Sequence, residues 1–207
     1  MAVVDRINAA VRRVPAWPIY PVCALWLAWV FYRGATGGLG VEPIEALEHE
    51  YGAMALKVLV VGLAISPLRR HAGLNLVKFR RALGVSAFVL VLAHLAVWAV
   101  LDVQSLDRIW ADIVKRPYVT VGMAAFLLLL PLALTSNDRA VRWLGPKWRR
   151  LHKLTYPAAV LAGVHFLWLA KGFQLEPLIW LAVISALLVL RFRPGRGARP
   201  RAAPTQG

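Results

Sequence analysis

An all-α bundle of six transmembrane helices is the fold class this sequence predicts, on three observations. Hydrophobic residues make up 59% of the 207, and they gather into runs near the roughly 18–20 residues a helix needs to cross a hydrocarbon core. The connections between runs are short and alternate in charge. With six spans and an inside N-terminus, 19 of the 25 Lys and Arg fall on the inner side and eight of the ten acids on the outer side. That asymmetry is expected of a multi-pass protein with both termini in the cytoplasm. The net charge of +15 is therefore mostly topological. It lies in short loops and tails rather than on one soluble face, which argues against nucleic acid as a partner and leaves membrane lipid as the surroundings. Cys23 is the only cysteine, so an internal disulfide, a CxxC redox pair and a thiolate metal cluster are excluded, and it reads as core packing.

Residues 1–15 form a basic lead whose Arg6, Arg12 and Arg13 suit an amphipathic segment at the inner interface. The first span, about residues 17–32, carries Trp17, Tyr20 and Tyr32 at interface positions. It lacks a small-residue cleavage pattern, so it is expected to stay as a helix. The outer segment 34–50 turns from Gly-rich to acidic, and His49, between Glu48 and Glu50, reads as a solvated interfacial residue. The second span, about 51–68, holds Lys57, whose stem can snorkel or face the bundle interior, and ends in Ser66-Pro67. The inner loop 69–81 collects Arg69, Arg70, His71, Lys78, Arg80 and Arg81. Its first role is orientation, and a second is pairing with the carboxylates or phosphate of a cofactor.

The third span covers about 82–101. The outer connection 102–116 has mixed charge, with Trp110 suited to an interfacial turn or a docking face. Pro131 is expected to kink the end of the fourth span, about 117–134. The inner loop 135–152 is basic again and carries Trp143 and Trp148. The fifth span then runs over 154–170 and the sixth over 173–190. One membrane domain thus covers 16–191. Residues 192–207, rich in Arg, Pro and Gly without apolar periodicity, read as a disordered basic tail.

The chemistry centres on the stretch 145–171, which reads as an apolar helix with His152 at its basic mouth and His165 deep within. An imidazole at membrane depth is costly without a partner and marks a functional site. Neutral imidazole suits iron, and a haem iron is the partner expected here. At about 1.5 Å per residue, the separation in sequence places the two rings about 20 Å apart, so they mark two levels rather than one iron. Pro157 lies between them and leaves open whether both face the bundle interior. His94 stands as far from the basic start of the third span as His165 does from the basic end of the fifth, to within a residue. Both helices enter from the same side, so His94 and His165 reach comparable depth in the outer half. They are the expected ligand pair, two unrelated interhelical polar contacts being the alternative. Phosphate-binding Gly loops, H-E-x-x-H pairs and nucleophile elbows do not occur in the sequence.

Four blocks carry a resemblance: PIEALEHEYGAMALKVLVVGLAISPLRR, FRRALGVSAFVLVLAHL, RPYVTVGMAAFLLLLPLALTS and KWRRLHKLTYPAAVLAGVHFLW. In this order they closely resemble the MsrQ (YedZ) family, haem-binding membrane subunits of bacterial periplasmic methionine-sulfoxide reductase systems, over roughly residues 15–190. The resemblance implies a ferric reductase-like six-helix domain in the bacterial inner membrane, with haem b and flavin mononucleotide (FMN). It implies passage of electrons from the cytoplasmic side or the quinone pool to a periplasmic molybdopterin methionine-sulfoxide reductase that repairs oxidised proteins. By the same resemblance the haem-binding, iron-ligating residues are His94, His152 and His165. Arg80 and Arg81 stand where related two-haem reductases usually carry a second histidine. His152 is thereby left with two roles: ligand of an inner haem, with His71 as one candidate opposite ligand, or partner of the flavin or of a propionate. The 17 residues after the last span leave no room for flavin and nicotinamide domains. A cytosolic flavin reductase or quinol is therefore the expected donor, and no activity on methionine sulfoxide is expected of the chain alone. The alternatives are a haem b ferric or quinone-linked reductase and, in a different class, a transporter or assembly factor.

Overall fold

The computed structural model describes residues 2–170 and 173–191, and among them the regular structure is entirely helical. Six apolar helices stand at the six expected places: α2 (Ile19–Ala35), α3 (Pro43–His71), α4 (Arg80–Ala96), α6 (Pro117–Leu134), α9 (Thr155–Leu169) and α10 (Leu175–Val189). Four shorter helices, α1 (Ala2–Arg13), α5 (Leu106–Lys115), α7 (Asp138–Leu144) and α8 (Pro146–Leu151), connect or flank them. Length and composition alone suffice for a membrane crossing in α3, in the continuous helical stretch Val77–Val103 that contains α4, and in α6. The basic tail from residue 192 lies outside the described residues.

The bundle is built largely from helices consecutive among the six spans. α3 packs along α4 and α6 along α9, while α10 closes against α9 and α2 against α3 and α4. The central core is aliphatic, with Leu59 and Leu63 of α3, Leu129 and Leu132 of α6, Ala158 and Ala159 of α9 and Ile184 of α10. Small residues let α9 and α10 approach: a Cβ on Gly163 would lie 3.0 Å from Leu181 and 3.1 Å from Ile184. Large apolar side chains such as Leu25, Trp29, Val61, Leu127 and Ile179 point outward, as expected where lipid rather than water is the solvent. Tyr51 ties α2 to α3 by donating its hydroxyl to Leu27 O at 2.7 Å.

Several elements differ from the sequence expectation. The stretch 145–171 is not one helix. Gly145, at φ +51°, separates α7 from α8, and a single 3-10 turn, His152–Leu154, separates α8 from α9. Pro157 falls at the third position of α9, where a backbone N–H has no intrahelical acceptor to lose, so the break precedes the proline. The outer connection 102–116 contains the amphipathic helix α5. Its Ile109 and Ile113 pack on Trp98, Val103 and Val119, while Leu106, Trp110 and Val114 point outward. At the basic end α1 is docked on the turn after α3. The Asn8 side chain donates to Gly73 O and accepts from Asn75 N, and Lys78 Nζ donates to Arg12 O. Arg81 of α4 pairs at 2.6 Å with Asp138 in the first turn of α7. This pairing holds the exposed Asp138 carboxyl below its usual range.

Candidate functional site

His94 on α4 and His165 on α9 meet across the bundle, with ring centres 6.3 Å apart and ring planes at 75°. Each ring is fixed by a backbone carbonyl of the helix behind it. His94 Nδ1 lies 2.9 Å from Glu48 O on α3, and His165 Nδ1 lies 2.8 Å from Tyr118 O on α6. A carbonyl only accepts, so Nδ1 carries the proton in both rings, and Nε2 keeps the lone pair a metal requires.

The two clasps share one construction. Four residues after each accepting carbonyl stands a glycine, Gly52 after Glu48 and Gly122 after Tyr118, and the imidazole lies against it. A Cβ on Gly52 would come within 3.1 Å of His94 Nδ1, and one on Gly122 within 2.8 Å of His165 Nδ1. Any side chain there would push the ring from its carbonyl. Immediately after His94, α4 passes into a π-helical turn, Val97–Val103, an irregularity often found at functional sites.

The separation provides a test of fit for a metal. A metal–imidazole bond of about 2.0–2.1 Å, with the ring centre about 1.1 Å behind the nitrogen, puts two opposed imidazoles roughly 6.3 Å apart between centres. The observed separation of the ring centres equals that value. Among the described residues no three His, Cys, Asp or Glu gather in a group able to hold an ion. Two protein ligands suit a metal whose remaining positions a macrocycle fills, and suit a bare ion poorly.

The third histidine stands at the other end. His152 stacks on Trp148, with ring centres 3.8 Å apart, and its Nε2 lies 3.1 Å from Thr135 Oγ1. That hydroxyl already donates to Pro131 O at 2.6 Å, so it accepts from His152 Nε2–H, and Nδ1 is the ring nitrogen left free. Trp148 Nε1 donates to Thr135 O at 2.8 Å and closes the cluster. Burial of the His152 ring lowers its pKa and so favours the neutral form. Because Tyr118 opens α6 and Thr135 caps its far end, His165 and His152 lie roughly 20–25 Å apart along the bundle.

The remaining candidates go elsewhere. His71 lies with Nε2 3.4 Å from Leu190 O, and no contact joins it to His152 among the described residues. His49 is exposed, with its ring against Phe166, and Lys57 is exposed. The residues that sequence reasoning missed are Gly52, Gly122 and the carbonyls of Glu48 and Tyr118. The one available signal was a glycine inside each of two apolar spans, where a helix gains nothing from it.

Residues 51–163 match the family model described as the ferric reductase like transmembrane component. A protein-methionine-sulfoxide reductase heme-binding subunit MsrQ of Brucella anthropi is 41% identical over 191 residues, covering 91% of this chain and 87% of the relative. Its namesake in Brucella ovis is 42% identical over 193 residues, 92% of this chain and 88% of the relative. No solved structure matches the chain.

Proposed function

We propose a role from one premise: the chain belongs to the MsrQ family of heme-binding subunits of protein-methionine-sulfoxide reductase. It is the transmembrane electron-transfer subunit of such a system. His94 and His165 hold one haem b between them near the acidic end of the bundle. Haem, when bound, supplies the one-electron carrier. The protein's part is to present two neutral imidazoles with Nε2 free, to brace each from behind through Nδ1, and to keep water away with an aliphatic core. The basic end faces the cytoplasm of a bacterial inner membrane, with both termini on that side, a reading the charge asymmetry supports. Electrons enter there, at the level of His152, from a cytosolic flavin reductase or from quinol, with FMN as an intermediate carrier. They leave at the acidic end to a periplasmic molybdopterin methionine-sulfoxide reductase.

The observation that carries this reading is the 6.3 Å spacing of two imidazoles whose Nδ1 atoms are both committed to backbone carbonyls. The test is the pair of single variants His94→Ala and His165→Ala in purified protein. Each should lose the Soret absorbance of that haem and the transfer of electrons to the partner. Full absorbance and normal turnover in both variants would refute the pairing.

A further inference from the structure

At the basic end a cavity of about 200 Å³ opens between α3, α9 and the turn after α10, lined by Ser66, Arg70, Tyr156 and Arg191 among others. Its construction starts from Pro67. A proline within a helix has no N–H, so the carbonyl four residues earlier, Leu63 O, loses its helical partner. Arg191 replaces that partner by donating from Nη2 to Leu63 O. Its guanidinium then lies 5.1 Å over the Tyr156 ring, and its Nε is buried without a hydrogen-bond partner. Arg80 donates to Ser66 Oγ at 2.6 Å, which leaves the Ser66 hydroxyl proton free to be donated. Arg69 and Arg191 both lie within electrostatic reach of Arg80. Among the described residues, ion pairs join Arg81 to Asp138 and Arg116 to Asp112, and none joins Arg70, Arg80 or Arg191 to a carboxylate.

A basic residue that only sets topology needs no cavity, no aromatic seat and no freed carbonyl to hold it. We infer that this cavity is a phosphate-ester site, in which Arg70, Arg191 and the Ser66 hydroxyl bind the anionic phosphate oxygens and Arg80 positions Ser66. Guanidinium groups without carboxylate partners, together with a free hydroxyl donor, match phosphate chemistry. The cavity is large enough to admit a phosphate group. The phosphate can belong to FMN, in which case the site rests on the flavin assignment above, or to an anionic phospholipid headgroup at the same interface.

The experiment uses the full chain, purified with its haem, and measures binding of FMN and of riboflavin, which lacks the phosphate. Phospholipid retained from phosphatidylglycerol-containing nanodiscs is measured in parallel by native mass spectrometry. Arg70→Gln and Arg191→Gln are the variants. The exposed Arg70 side chain makes no hydrogen bond or ion pair among the described residues, so its variant keeps the test decisive if Arg191→Gln fails to fold. If FMN is the source, it binds about ten- to hundredfold more tightly than riboflavin, and the advantage disappears in the variants. If lipid is the source, riboflavin and FMN bind alike, and the variants lose retained phosphatidylglycerol. Haem content stays at the parent level in either case, so this result is separable from failure of the His94–His165 assignment. Unchanged flavin discrimination and unchanged lipid retention in Arg70→Gln would overturn the inference.

Discussion

Gly122→Ala isolates the clasp behind His165 without touching a ligand. The added methyl carbon would sit 2.8 Å from His165 Nδ1, 2.9 Å from Cε1 and 3.3 Å from Cγ, so the ring must retreat. At Gly52 the corresponding distances to Nδ1 and Cε1 of His94 are 3.1 and 3.2 Å, where a shift of a few tenths of an ångström suffices. Overpacking of this kind costs about 1–3 kcal/mol. Losing the His165–Tyr118 hydrogen bond adds about 1 kcal/mol. Loss of the partner that orients a metal-bound imidazole lowers metal affinity about 10–100-fold. Gly122→Ala should therefore weaken haem retention by about that factor, and Gly52→Ala by only a fewfold. The assay is haem transfer to apomyoglobin, followed at the Soret band, with far-UV circular dichroism to verify helicity. Retention equal to the parent in Gly122→Ala, or a larger loss in Gly52→Ala, would refute the clasp argument.

Other outcomes follow from the same geometry. His152→Ala should slow reduction by a cytosolic flavin donor while leaving the haem of His94 and His165 bound, because the rings of His152 and His165 lie roughly 20–25 Å apart along the bundle. Stopped-flow reduction with parallel haem quantitation decides this, and loss of all haem would contradict the independence of the two levels. Thr135→Val removes the acceptor of His152 Nε2–H and should release the ring from its stack on Trp148, seen as altered Trp fluorescence with unchanged outer-haem absorbance. The Asp138 carboxyl, held below its usual range by Arg81, stays charged until pH falls through that lowered value. The contact between α4 and α7 should thus persist at pH 5 and loosen only as pH falls below the ordinary carboxylate range. Amide exchange in α7 should show that loss, and Asp138→Asn should abolish its pH dependence.

The convergence of His94 and His165 was legible because two quantities suffice for it: the side from which each helix enters and the residue count from its basic end. Both are written in the sequence as charge and spacing. The clasp was not legible, because its acceptors are backbone carbonyls, which every residue carries, and its glycines follow no periodic pattern. The break at His152–Leu154 was hidden by the continuous apolar run after it, and Pro157 drew attention to a later position that the structure leaves helical. Helix α5 was obscured by mixed charge, although Ile109 and Ile113 share the four-residue spacing of an inward face. The bond from Arg191 to Leu63 joins residues 128 apart in sequence, and Ser66-Pro67 announced only its acceptor half.

The most direct test of the central claim is low-temperature electron paramagnetic resonance of the oxidised, haem-loaded protein. If His94 and His165 together held one ferric haem, two neutral imidazole nitrogens would give it a low-spin signal. A spectrum containing only high-spin iron would contradict the joint ligation by His94 and His165.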